Sequence, residues 1–124
     1  HLHLLKICEK LYNSTQWSIA GLIYAYKNEL AIKLELLMVI ILTPLAFYLA
    51  LDINQLLWLL TSVILVLLVE IINSAIEATI DRIGLEQHEL SRHAKDLGSA
   101  AVFIALLLMC LVWGLIIRAN YIIN

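Results

Sequence analysis

The sequence predicts an all-α membrane protein, with an N-terminal amphipathic surface helix followed by three transmembrane helices. Three observations lead there. Of 124 residues, 63% are hydrophobic and mean hydropathy is +0.94, a balance foreign to ordinary water-soluble domains. Two apolar runs, 53–72 and 97–117, have the roughly 20 residues that a bilayer crossing needs. The cations are also segregated: Lys6, Lys10, Lys27, Lys33, Arg82, Arg92 and Lys95 precede the first span or lie between the second and third, and only Arg118 follows the third. The positive-inside rule therefore predicts a cytoplasmic N-terminus and 82–96 link, with the C-terminus outside.

The elements follow in order. Residues 1–33 form the surface segment. Leu4, Leu5, Cys8, Leu11 and Tyr12 share one helical face, opposite Lys6, Glu9, Lys10 and Asn13. Asn13-Ser14-Thr15-Gln16 is expected to interrupt this helix, with Ser18 as the N-cap of a second piece ending near Glu29. Trp17, Tyr24 and Tyr26 suit headgroup depth. The first span, 34–51, contains the single proline, Pro44, which is expected to kink it. The second membrane helix, 53–81, outruns the bilayer and ends at Gly84 in the manner of a C′ glycine. The third covers 97–118. Ser74 with Ala78, and Ala101 with Ala105, are small residues four apart that let helices approach closely. Cys8 and Cys110 fall at different levels of this arrangement, so no disulfide is expected.

Four polar residues interrupt the second span: Glu70, Asn73, Glu77 and Asp81. At about 100° per residue the three acids fall within roughly 40° of one line, with Asn73 beside it. A carboxylate facing lipid near the bilayer centre costs roughly 2.5–3.5 kcal/mol, so the stripe points to a protein-lined site. Counting from Ile53 puts Glu70 at the cytoplasmic boundary, Glu77 about 10 Å further out and Asp81 about 16 Å out. Asn28-Glu29 and Lys95-Asp96 can face the same region. Glu29 and Glu77 offer hard oxygen ligands of the kind Mg²⁺ takes. Lys95 offers a point cation for phosphate, and Glu70 a base for a lipid hydroxyl.

The chain lacks a phosphate-binding G-x-x-x-x-G-K-[ST] loop, protein-kinase signatures, H-E-x-x-H and G-x-S-x-G. His88 and His93 have no spacing that suggests a metal site, and there is no basic stripe for nucleic acid. Three readings of the acids stay open on this ground. One is phosphoryl transfer from a soluble nucleotide to a lipid alcohol. Another is an oligomeric ion or proton channel with Glu70 as its titrating group. The third is structural, with Glu70 and Asn73 bonded across helices and Asp81 paired with Arg82 or Arg92.

The runs EIINSAIEATIDRIG and HELSRHAKDLGSAAV resemble the signature of the prokaryotic integral-membrane diacylglycerol kinases. The resemblance rests on Glu70, Asn73, Ser74, Glu77, Asp81, Lys95, Asp96 and Ser99, with Asn28-Glu29, Glu35 and Trp113 also in place. It implies a homotrimer in the bacterial inner membrane, with sites shared between subunits, that phosphorylates 1,2-diacylglycerol with ATP and Mg²⁺. Within it Glu70 is the catalytic base and also meets the lipid. Glu29 and Glu77 hold Mg²⁺ with ATP, and Asn73 supports them. Lys10, Trp17, Glu86, Gln87, His88, Lys95 and Asp96 contact ATP. Glu35, Ser99 and Trp113 face the lipid substrate. Arg92 stands where the family commonly has glycine, and Ile19 and Leu34 where relatives often carry tryptophan and glutamine. The related activity on undecaprenol, a polyprenol, is the alternative within the enzyme class.

Overall fold

The computed structural model describes residues 1–84, 86 and 88–122. Its elements are α1 (Leu2–Asn28), α2 (Leu30–Leu49), α3 (Ile53–Ile83) and α4 (Glu89–Tyr121). The last three are long and apolar enough to cross a membrane, and the chain is an all-α membrane protein.

The surface helix α1 runs unbroken through residues 13–16, where the sequence predicts an interruption. Thr15 Oγ1 donates to the Leu11 carbonyl and Ser18 Oγ to the Ser14 carbonyl, each at 2.8 Å. The hydroxyls thus bond back along the helix without displacing a backbone bond. Ser18 is consequently an interior residue and not an N-cap. Cys8 and Cys110 are both free, as expected.

Only Glu29 separates α1 from α2, and its backbone is extended (φ −118°, ψ 109°). Its amide still closes α1 onto the Ala25 carbonyl at 2.8 Å, while its carbonyl accepts from the Lys33 amide at 3.2 Å. One residue makes the whole corner, and its carboxylate is fixed where surface helix meets membrane helix. Pro44 lies inside α2, which continues to Leu49. α2 begins at Leu30, ahead of the expected boundary at 34.

Asp52 caps α3, its Oδ1 accepting from the Gln55 amide at 2.9 Å. With 31 residues α3 is about 46 Å long, so it outruns a hydrocarbon core of about 30 Å. Gly84 does close α3, its amide donating to the Ile80 carbonyl at 3.2 Å. Its backbone is extended (φ 172°, ψ 153°), not left-handed as expected of a C′ glycine. α4 starts at Glu89, well before the apolar run. The His88 Nδ1 caps it by accepting from the Leu90 amide at 3.1 Å.

α3 is the central helix: α4 and α2 both pack along it, and α1 touches α2. The core joins Leu59, Val63 and Val66 of α3 to Ala46 of α2 and to Ala105, Met109 and Trp113 of α4. Between helices in lipid no hydrophobic drive remains, so close packing and hydrogen bonds must hold the bundle. Near its middle Trp113 Nε1 donates to Ser62 Oγ at 3.1 Å, and Ser62 Oγ donates to the Leu59 carbonyl at 2.9 Å. At the end remote from the α3–α4 link, Gln55 and Asn120 exchange bonds of 3.0 and 2.7 Å. Asn120 Nδ2 and Tyr121 Oη both donate to the Leu49 carbonyl, at 3.2 and 2.9 Å, so three helix ends are clamped together.

These two fasteners make a stability prediction. Ser62→Ala should cost about 0.6 kcal/mol, the usual value for one interhelical bond in a membrane. Asn120→Ala removes contacts to two helices and should cost about twice as much. Reversible unfolding in mixed micelles, followed by tryptophan fluorescence, measures both; equal losses would deny the clamp its larger share.

Candidate active site

The seam that α3 presents to its neighbours changes character along its length. It is apolar through Leu59, Val63 and Val66, then continues with buried Glu70 and Asn73. Glu77 is half-buried and Asp81 exposed. Spacings of three and four keep these residues on one face. The same periodicity that builds the core therefore delivers the acids to the protein interior.

Asn73 Nδ2 donates to Glu77 Oε1 at 2.9 Å, which fixes the rotation of both side chains. Asn73 Oδ1 is buried without a hydrogen-bond partner among the described residues. It lies against Gly98 of α4, where a Cβ would collide with it. Gly98 is seven residues before Ala105, on the same face, and both are buried. Of the small pair 101 and 105, only Ala105 faces the bundle; Ala101 is exposed.

Glu29, from the α1–α2 corner, borders a largely apolar groove of about 620 Å³. Leu22 and Ala25 form its α1 wall, with Ser74 and Ala78 opposite on α3. Glu29 and Glu77 both lie within electrostatic reach of Glu70, and Glu70 within reach of Glu35. Four acids, from the α1–α2 corner, α2 and α3, thus gather at one end of the bundle. None of them is ion-paired with a described cation. Among the described residues no three His, Cys, Asp or Glu side chains stand close enough to hold a metal ion unaided. A divalent ion here would draw further oxygen ligands from water or a bound phosphate.

Further out, a cleft of about 360 Å³ opens between the end of α3 and the start of α4. Asp81, Glu86, His88, Arg92, Lys95 and Asp96 line it. Lys95 Nζ donates to Asp81 Oδ1 at 3.0 Å. Asp81 pairs with this lysine of α4, not with Arg82 or Arg92 as the sequence suggested: the antiparallel packing of α3 and α4 brings position 95 to its side.

The remaining candidates are dispersed in a single chain. Lys10 and Trp17 are exposed on α1 and line neither cavity. Ser99 is exposed on α4. Trp113 is buried in the bundle on Ser62. Gln87 lies outside the described residues. Sequence reasoning missed Gly98 as the surface under Asn73; its heptad spacing from Ala105 was the available signal.

A bundle of membrane-spanning helices whose gathered acids have no ion-pair partner among the described residues, with a cleft lined by charged side chains further out, defines a membrane protein with a polar site at one end. The comparisons with known proteins agree over most of the chain. Residues 16–117 match the family described as prokaryotic diacylglycerol kinase. The chain is 49% identical to the diacylglycerol kinase of Haemophilus influenzae over 104 residues, 84% of this chain and 88% of that protein. It is 40% identical to that of Pseudomonas aeruginosa over 109 residues, 88% and 89% of the two chains. With that of Escherichia coli K12 it shares 41% over 112 residues, 90% and 92% of the two chains. The chain belongs to the prokaryotic diacylglycerol kinase family, a family of kinases.

The Gly98 contact can be tested without any ligand. Gly98→Leu drives a branched side chain into Asn73 and forces α4 from α3, so the melting temperature in detergent should fall by several degrees, as overpacking of about 1–3 kcal/mol implies. Gly114→Leu, at a position with open space around it, is the control and should melt near wild type.

Proposed function

We propose that this protein phosphorylates 1,2-diacylglycerol at the cytoplasmic face of the bacterial inner membrane: ATP + 1,2-diacylglycerol → ADP + phosphatidate. The observation that carries this reading is the gathering of Glu29, Glu35, Glu70 and Glu77 without a described counter-cation, beside the cleft that holds Lys95 and Asp96. Belonging to the family supports it.

In this reading the chain is one membrane kinase domain, with residues 1–33 on the surface and spans in 34–51, 53–81 and 97–118. Glu70 accepts the proton of the lipid hydroxyl. The hydroxyl oxygen then bonds to the γ-phosphorus as the bond from that phosphorus to the bridging oxygen breaks, and ADP leaves. Lys95 neutralises phosphate charge, while Asp96, Glu86, Gln87 and His88 border the nucleotide. Lys10 and Trp17 contact it from α1, and Glu35, Ser99 and Trp113 meet the lipid.

The residues fit Mg²⁺: Glu29 and Glu77 are hard oxygen donors free of any described cation, and Asn73 holds Glu77 in place. When bound, the ion neutralises charge on the transferring phosphoryl group. Lys10, Trp17 and Ser99 are exposed, and Lys10 and Trp17 stand apart from both cavities within one chain. That separation supports a homotrimer whose sites combine residues of neighbouring subunits.

Purified protein in mixed micelles should make phosphatidate from ATP and diacylglycerol, lose the activity to EDTA and regain it with Mg²⁺. Glu70→Gln should lower kcat by about 100- to 10,000-fold. No turnover of diacylglycerol, or unchanged turnover by Glu70→Gln, would overturn the reading. Undecaprenol assayed alongside decides the lipid class, and proton flux without ATP would favour a channel. If sites are shared, Glu70→Gln and Glu29→Gln chains, each inactive, should regain activity when mixed. Verified mixed oligomers that stay inactive would place each site within one chain.

A further inference from the structure

Asp81 is the one acid of the α3 stripe that the proposed reaction leaves without a task. It is also the only hydrogen-bond acceptor that Lys95 finds among the described residues, at 3.0 Å. The pair spans two helices, α3 and α4, across the mouth of the cleft that both residues line. The lysine side chain is 43% exposed and the aspartate 55%. An ion pair that open to water contributes roughly 0–1 kcal/mol to folding. Stability therefore gives a weak account of it.

Placement gives a better one. Lysine carries its charge on four flexible methylenes, and fixing such a chain costs up to about 2 kcal/mol of rotamer entropy. Its ammonium has three donors. Asp81 takes one and holds the group over the cleft, leaving two for another acceptor. A phosphate arriving there meets a cation already extended toward it, so less freedom is lost on binding.

We propose that Asp81 is a positioning residue for ATP: it holds the Lys95 ammonium ready for a nucleotide phosphate. This rests on the reading that Lys95 meets phosphate. Asp81→Asn keeps the shape and removes the charge. It should raise KM for ATP about 2- to 5-fold, with kcat within about 1.5-fold and KM for diacylglycerol unchanged. Asp81→Glu, which keeps a carboxylate, should recover part of the loss.

A readout without turnover separates this role from a structural one. ATP should raise the melting temperature of wild type, and raise it less in Asp81→Asn and in Lys95→Met. In the Asp81→Asn/Lys95→Met double variant the rise should equal that of Lys95→Met alone, because Asp81 acts through the lysine. An Asp81→Asn protein with unchanged or lower KM for ATP would overturn the proposal, as would additive losses in the double variant. So would a fall in kcat accompanied by a melting temperature lowered without ATP. Failure of the functional reading is distinct: wild type would not phosphorylate diacylglycerol, or Lys95→Met would bind ATP as wild type does.

Discussion

Everything in this bundle depends on the rotation of α3 about its own axis. Leu59, Val66, Asn73 and Ile80 are seven apart, as are Val63, Glu70 and Glu77, and these adjacent rows form the buried seam. Turning the helix by one residue, about 100°, would send the core side chains and the acids to lipid together. The apolar half resists that rotation through packing. The polar half resists it through cost, at roughly 2.5–3.5 kcal/mol for a charge left at the bilayer centre and less toward the boundary. Core and site are thus one constraint read at two depths. Gly98 and Ala105 answer it from α4: lacking bulk, they let that helix close on the seam.

Polar contacts then fix the height of the helices, and they differ in exposure to water. The Gln55–Asn120 exchange and the bonds to the Leu49 carbonyl lock the far end. The Ser62–Trp113 bond lies buried at mid-depth. Asn73 and Glu77 meet in partly buried surroundings, and Asp81 meets Lys95 in the open. Bonds without competing water hold their partners; an exposed ion pair in high dielectric holds them weakly. The buried middle of the bundle is therefore held more firmly than the helix ends that line the cleft.

Much of this was legible in the sequence, for reasons that also explain what was not. The spans follow from hydropathy because lipid forces every backbone group to bond within its own helix. The stripe follows from the helical period, which burial does not alter. Residues 13–16 misled because serine, threonine and asparagine bond equally well to turns and to their own helix, and only the geometry at Thr15 and Ser18 shows which prevails. The start of α4 was hidden because residues 89–96 are charged, and hydropathy registers the membrane, not the helix. The partner of Asp81 was hidden because it depends on how two antiparallel helices are phased. That phase is set by Gly98, Ala105 and the Gln55–Asn120 clamp, none of which is near Asp81 in sequence.

Glu29 shows how far local chemistry can settle a site. Its φ and ψ are those of extended backbone, so α1 cannot continue into α2, yet both its amide and its carbonyl serve the flanking helices. The backbone of the corner is thus bonded on both sides, which sets where the Glu29 side chain starts, at the junction of α1 and α2. The rest of α1 is different. Ala25 is its only buried residue, and Trp17 is 70% exposed. An amphipathic helix of this length, joined at a one-residue corner and covering little of its own chain, has its apolar face left uncovered by the rest of the chain. The acids are organised within the chain, whereas Lys10 and Trp17 are carried on a helix face that the rest of the chain leaves uncovered.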